Sequence, residues 1–127
     1  MFARCSRKEL EFLASRTDDV DVKVNHILTG QGSPADSFFV LLEGEVAVDV
    51  SGQLRPTLGV GDFFGEISML DLGPATATVV TKTPTRAMVM GHSQFRDAIK
   101  SNDVLLSKVL EAMAERLRRD SLDRSPA

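Results

Sequence analysis

Apolar and polar residues alternate along much of the chain before residue 91, which predicts a series of short β-strands. The alternation is clear at 20–24 and 45–50, and a short apolar stretch at 27–29 lies between them. A continuous apolar run at 38–42 suits a central strand. Such strands, separated by turns rich in Gly, Pro, Asp and Ser, predict a mainly β fold, an antiparallel jelly roll or sandwich.

Three further strands are predicted after the turn at 51–53. Residues 54–58 lead into a Gly-rich segment, and 75–81 alternate small, hydroxyl and β-branched residues. Residues 85–90 form the last predicted strand, which ends at Gly91.

Helices are predicted on both sides of the β part. The pattern Ser-Arg-Lys-Glu at 6–9 is a capping box, and it begins an amphipathic N-terminal helix that we expect to pack on the β core. Ser93 is the expected N-cap of a helix at 94–100. Asp103 is the expected cap of a longer helix that runs to about Arg119.

The longer C-terminal helix carries an apolar stripe that has two interpretations. Its members recur at helical spacing, with Val109 beside them: Leu106, Leu110, Met113 and Leu117. In one interpretation the helix packs over the mouth of the β-barrel. In the other it forms a seam with a second copy, so that the chain is a homodimer through this helix. Four positions do not decide between the two.

Length and charge limit the classes of function. The 127 residues suit one domain, expected at 1–120, followed by a polar tail at 121–127 that we expect to fray. A net charge of −3 argues against nucleic-acid binding by this segment. The chain has no secretory segment and no apolar run that would span a bilayer, so a cytoplasmic protein without membrane contact is expected.

The reactive side chains do not indicate catalysis or a metal centre. Cys5 is the single cysteine and cannot form an internal disulfide. His26 and His92 are the two histidines, too few for the metal centre of a jelly-roll enzyme. No nucleophile and base pair stands out, and Glu66 has no evident acid–base partner, so neither an enzyme nor a cofactor is expected.

The segment at 59–79 has the composition of an anion-binding loop. Glycines and Asp62 mark a turn, Gly65 precedes a helical run at 66–70, and turn residues at 71–74 return the chain to a strand. The first N–H groups of a helix have no partner within it and carry the positive end of the helix dipole. This segment is therefore the candidate binding site.

The block FGEISMLDLGPATATV at 64–79 resembles the phosphate-binding cassette of cyclic-nucleotide-binding domains. That family includes the sensor domain of bacterial catabolite-activator-type regulators, the regulatory subunits of cyclic-AMP-dependent kinase, and cyclic-nucleotide-gated channels. The segments FFVLLEGEVAV at 38–48 and LGVGDFFGE at 58–66 resemble the family's central hairpin and its approach to the cassette. The matching cassette residues are Phe64, Gly65, Glu66, Pro74, Ala77, Thr78 and Val79. The resemblance implies a jelly roll with an N-terminal helix, a short cassette helix and two C-terminal helices.

One cassette position departs from the family pattern. The family's arginine, which pairs with the cyclic phosphate, falls at Ala75. Arginine binds phosphate bidentately, and removing one partner of such a buried charge pair costs about 2–5 kcal/mol of binding free energy. Arg86, on the next predicted strand, is not expected to substitute for it.

The resemblance also implies roles for the residues that remain. Glu66 takes the position of the glutamate that accepts a hydrogen bond from the ribose 2′-hydroxyl, and Thr76 that of a phosphate-contacting hydroxyl. The implied ligand-binding residues are Phe64, Gly65, Glu66, Ile67, Ala75, Thr76 and Ala77.

Two hypotheses of function follow from these features. In the first, the chain is a regulatory sensor that binds cyclic AMP, cyclic GMP or a related small anion weakly in the cassette, and its C-terminal helix moves in response. In the second, the chain no longer binds a ligand and serves as a structural, dimerising or protein-interaction module. The intact Phe64-Gly65-Glu66 favours the first, and Ala75 favours the second.

Overall fold

The strands and helices are given by a computed structural model, which describes residues 6–8 and 18–124, and at 113 and 116–124 the backbone alone. The described part contains eight strands and three helices. In chain order they are β1 (Asp18–Val22), β2 (Ile27–Thr29), β3 (Phe38–Glu43), β4 (Val46–Val50), β5 (Gln53–Leu58), β6 (Phe63–Phe64), α1 (Glu66–Asp71), β7 (Thr78–Thr81), β8 (Thr85–Met90), α2 (His92–Ser101) and α3 (Asp103–Arg124).

The strands form two four-stranded antiparallel sheets. The first has the order β1-β8-β3-β6 and the second the order β2-β7-β4-β5. An inner core lies between them, built from alternate residues of both sheets: Phe39, Leu41, Val46, Leu58, Phe64, Val79 and Ala87. The predicted antiparallel sandwich with flanking helices is confirmed.

Strand β3 is buried on both faces, which explains its continuous apolar run. Phe39 and Leu41 belong to the inner core, whereas Phe38 and Val40 belong to an outer core beneath the helices. The Phe38 ring packs against Phe95 of α2, with the ring centroids 4.7 Å apart. Burial on two faces removes the usual polar alternation, as the sequence pattern indicated.

Two of the predicted strands differ from the observed ones by more than one residue. The first strand is Asp18–Val22 and not 20–24, because a turn follows it in which Asn25 has a φ of 60° and donates its N–H to the Thr81 carbonyl. The strand predicted at 75–81 begins at Thr78. Ala75 lies outside it because its N–H and C=O bond to Ser33 and Gly32 rather than to a neighbouring strand.

The caps of α2 and α3 also differ from the prediction. Helix α2 begins at His92, with Gly91 as its N-cap and the Gln94 side-chain oxygen accepting from the Gly91 N–H, so Ser93 is not the cap. Asn102 caps α3: its Oδ1 accepts a hydrogen bond from the Leu105 N–H at 3.0 Å. Asp103 is therefore the first residue of that helix, which ends at Arg124 and not near Arg119.

Helix α3 packs through a face next to the predicted stripe. Leu105, Val109 and Ala112 are buried in the outer core, whereas Leu110 is 54% exposed. Packing of this helix on the sandwich is thus observed, and the homodimer seam stays a prediction. The side chains of Met113 and Leu117, and most of the predicted N-terminal helix, lie outside the described residues, although Arg7 and Lys8 have helical backbone.

Thr81 joins β7 to the corner between β1 and β2. Its fully buried hydroxyl donates to the Lys23 carbonyl at 2.6 Å and accepts from the His26 N–H at 2.9 Å. The backbone of Thr81 bonds to Asn25 and His26 as well. One side chain therefore satisfies two backbone groups that the turn leaves without strand partners.

Replacing Thr81 tests this junction. Thr81→Val keeps the side-chain volume but leaves a donor and an acceptor unsatisfied, so the free energy of unfolding is expected to fall by about 1–3 kcal/mol. Urea unfolding followed by circular dichroism measures the change. The control is Thr81→Ser, which keeps the hydroxyl and is expected to lose less. A valine variant as stable as the serine variant would contradict this role.

Candidate functional site

The candidate site begins at a turn that is fixed to the central strand. The buried carboxylate of Asp62 accepts a hydrogen bond from the Gly59 N–H at 2.8 Å, which closes the turn. Leu41 of β3 bonds through its backbone to the Asp62 carbonyl and to the Gly61 N–H. These bonds set the position from which β6 and α1 begin.

Gly65 allows α1 to start directly after β6. It has a φ of 92°, and an added Cβ would lie 2.6 Å from the Ser37 carbonyl oxygen, so only glycine fits against this backbone. Phe64 before it is buried and stacks on Phe39, with the ring centroids 4.7 Å apart. Glu66 after it is the first residue of α1 and only 1% exposed.

The end of α1 is bonded to the segment that leads into β7. The buried Ser68 hydroxyl donates to the Pro74 carbonyl at 3.0 Å. Leu72 ends the helix with a φ of 60° and donates its N–H to the Ser68 carbonyl. The Gly73 N–H donates to the Asp71 carboxylate at 2.7 Å. Front and back of the cassette, residues 64–79, are therefore held together by α1 itself.

The back of the cassette is bonded to the loop that follows β2. Ala75 is 7% exposed, donates its N–H to the Ser33 carbonyl at 2.9 Å and accepts from the Gly32 N–H at 2.8 Å. Its backbone is thus already engaged, and its methyl group offers no charge. Thr76 is exposed, while Ala77 packs against the inner core.

The structure places five of the seven sequence-predicted residues in two groups and the other two in the inner core. Gly65, Glu66 and the partly buried Ile67 stand at the front, and Ala75 and Thr76 at the back, joined through the Ser68–Pro74 bond. Phe64 and Ala77 contribute to the inner core. The contacts of these residues with a ligand stay a prediction.

Two arginines outside the cassette, Arg86 and Arg55, differ in their surroundings. Arg86 is exposed and forms an ion pair with Asp19 at 2.9 Å, so it does not substitute for a cassette arginine. Arg55 of β5 is different, because its Nε atom is shielded from solvent. The sequence shows Leu54 next to Arg55 in an alternating strand. It does not show which of the two side chains points inward, because that depends on the strand register.

Neither a cluster of metal ligands nor a membrane-spanning helix is present in the described part of the chain. No group of three or more His, Cys, Asp or Glu side chains able to hold a metal ion was found there. Within the same part of the chain, none of the helices combines the length and apolar character of a membrane span.

Comparison with known families gives the family of this chain. Residues 19–102, more than half of the sequence, match the family model described as "Cyclic nucleotide-binding domain". The chain belongs to this family. The relationship is consistent with the sandwich and with the placement of the cassette between β6 and β7.

Two curated relatives illustrate the range of the family. The chain is 30% identical over 112 residues to a "CRP-like cAMP-activated global transcriptional regulator" of Mycobacterium tuberculosis. The matched region covers 84% of this chain and 50% of the relative. The chain is also 32% identical over 87 residues to a "cAMP-dependent protein kinase regulatory subunit" of Aspergillus fumigatus, covering 66% of this chain and 21% of the relative. The chain thus spans half or less of these relatives, which are regulators and regulatory subunits.

Solved structures share the fold. The Thermus thermophilus catabolite activator protein superposes with a TM-score of 0.79 at 23% identity, covering 93% of this chain and 58% of that one. A structure described as "A cyclic-GMP-dependent signalling pathway regulates bacterial phytopathogenesis" gives a TM-score of 0.78 at 20% identity, covering 91% of this chain and 96% of that one.

The close approach of Gly65 to the Ser37 backbone can be tested with a matched pair of variants. Gly65→Ala and Gly32→Ala both place alanine at a positive φ, 92° and 83°, but nothing lies within 4 Å of an added Cβ at Gly32. Gly65→Ala is therefore expected to lower the free energy of unfolding by about 1–3 kcal/mol more than Gly32→Ala does. Chemical denaturation measures both, and equal losses would show that the contact at Gly65 relaxes without cost.

Proposed function

We propose that this chain is a regulatory sensor domain that binds cyclic AMP or cyclic GMP in the cassette and responds through α3. The observation that carries the proposal is the buried Glu66 directly after Gly65 at the start of α1, in a chain of the cyclic nucleotide-binding domain family. The relative from Mycobacterium tuberculosis, described as cAMP-activated, adds support.

In this proposal the front and back of the cassette contact different parts of the ligand. The Glu66 carboxylate accepts a hydrogen bond from the ribose 2′-hydroxyl, and backbone N–H groups near Gly65 face the phosphate. At the back of the cassette, the hydroxyl of the exposed Thr76 would contact the same phosphate. Without a guanidinium at Ala75, the cassette alone binds weakly.

The response would travel through contacts of the cassette helix. Helix α1 packs against both α2 and α3. Met69 of α1 is fully buried in the same outer core as Leu105 and Val109 of α3. A shift of α1 on ligand binding therefore changes the surface on which α3 rests.

The second candidate is a domain that has kept the fold and lost the ligand. Ala75 favours it, because its side chain offers no charge and its backbone is bonded to the loop at Gly32 and Ser33. Such a domain would act as a structural, dimerising or protein-interaction module. Binding measurements separate the two candidates.

Isothermal titration calorimetry with cyclic AMP and, separately, cyclic GMP tests the sensor function. Saturable heat is expected from the unaltered chain at ligand concentrations up to the millimolar range. Glu66→Ala is expected to weaken binding because the ribose hydroxyl loses its acceptor. Ala75→Arg is expected to strengthen it by roughly 30-fold or more, as a charged pair with phosphate contributes about 2–5 kcal/mol.

The titration needs evidence that each variant is folded, which a cooperative thermal melt supplies. Thr57→Ala on the exposed side of β5 is a suitable control, since it lies outside the cassette and should bind as the unaltered chain does. Absence of heat from a folded chain would favour the non-binding module. An Ala75→Arg variant that gains nothing would mean that the site has changed beyond one residue.

Hydrogen–deuterium exchange tests the proposed response of α3. At saturating cyclic nucleotide, amides of α1 are expected to exchange more slowly, and amides of α3 are expected to change their exchange rate because the two helices are in contact. Strand β1, at the far edge of the first sheet, serves as the internal reference. Protection confined to the cassette would argue against α3 as the output.

A further inference from the structure

In strand β5 an apolar side chain is exposed while its charged neighbour is partly buried. Leu54 is 76% exposed, whereas the neighbouring Arg55 is partly buried with its Nε atom shielded from solvent. Arginine is rarely found inside a protein, because removing its charge from water is costly. Positions at which the expected order of burial is reversed are often functional, so Arg55 is a candidate for a role in addition to packing.

The strand register places Arg55 on the inner face of the second sheet. Arg55 lies opposite Val48 of β4, and Val48 lies opposite Val79 of β7. Directly opposed residues of an antiparallel pair project from the same face. Val48 packs on the inner core and Val79 belongs to it, so the Arg55 side chain points into the space between the sheets.

This position lies at the cassette end of the sheet. Ala77, the last cassette residue before β7, packs on the same inner core two residues before Val79. Only β4 separates β5 from β7, so the backbones of Arg55 and Val79 are about 10 Å apart. Arg55 and Val79 therefore project into the same inner space from strands that are two apart in the sheet.

The cation on this face complements the missing cassette charge. Of the arginines whose side chains the structure describes, Arg7, Arg86 and Arg96 are exposed, and Arg55 is the one turned inward. A guanidinium has five N–H donors, so Arg55 can keep an interaction within the protein and still present donors to a ligand. The charged part of a cyclic nucleotide is its phosphodiester.

We propose that Arg55 binds the phosphate of the ligand, so that this chain holds the anion from strand β5 instead of from the cassette position occupied by Ala75. The inference rests on the proposed cyclic-nucleotide binding. It adds a ligand-binding residue outside the cassette.

The test compares Arg55→Leu with Arg96→Leu, which removes the same charge from an exposed position on α2. Each variant of the 127-residue chain is titrated with cyclic AMP and with cyclic GMP. Arg55→Leu is expected to lose roughly 30-fold or more in affinity for both nucleotides, because both carry the same phosphodiester. Arg96→Leu is expected to stay within about twofold of the unaltered chain, as exposed charges contribute little.

A melt without ligand separates a binding role from a structural one. Leucine removes the interaction that Arg55 makes within the protein, so the melting temperature is expected to fall, and each titration is run below the melting temperature of the variant. A large loss of stability together with unchanged affinity would assign Arg55 a structural role and overturn the proposal. If Arg55→Leu does not fold, Arg55→Gln serves instead, with the same loss of affinity expected.

The remaining outcomes distinguish this inference from the proposed function. If the unaltered chain binds and Arg55→Leu binds equally well, the sensor function stands and the role of Arg55 is refuted. If Arg55→Leu loses affinity for one nucleotide and keeps its affinity for the other, Arg55 contacts the base, and the phosphate role is refuted. If the folded, unaltered chain binds neither nucleotide, both proposals fail together.

Discussion

Burial of β3 on both faces is the constraint on which the other elements depend. One face supplies Phe39 and Leu41 to the core between the sheets, and the other supplies Phe38 and Val40 to the core beneath the helices. The same strand holds the turn before the cassette through the backbone of Leu41, and its first residues approach Gly65. A strand that is covered twice has little freedom to move, so the start of α1 is fixed relative to the sandwich.

The contacts that position the cassette therefore do not depend on a charged side chain within it. Gly65, the Ser68–Pro74 bond and the bonds of Ala75 to the loop after β2 depend on shape and backbone, and they are present although position 75 carries a methyl group. The segment around position 75 therefore keeps its backbone bonds without a charged side chain at that position. Family membership alone accordingly does not establish which ligand is bound, and the arrangement of cations has to be examined residue by residue.

Much of the fold was predictable because periodicity and turn composition are local signals. The runs at 38–42 and 85–90 correspond to β3 and β8, and the helix predicted after Gly65 is present as α1.

The caps at Gly91 and Asn102 were missed because several polar residues near each helix start were compatible with capping. The predicted apolar stripe of α3 lies one residue away from the face that packs on the sandwich. Apolar residues occupy both adjacent rows of the helix, and only the tertiary contact selects between them. Arg55 escaped notice for the same reason: its direction follows from its pairing with Val48.

If Arg55 binds the phosphate, the affinity for the ligand and the response of α3 depend on different elements. Strand β5 lies at the edge of the second sheet and carries neither the cassette nor a helix, so a contact made there holds the ligand without displacing α1. Glu66 is the first residue of α1, and α1 packs against both α2 and α3. Differential contacts with the moving element are what shift a conformational equilibrium. In such a site Arg55 would determine how tightly the anion binds, and the contact of Glu66 with the ribose would determine whether α3 responds.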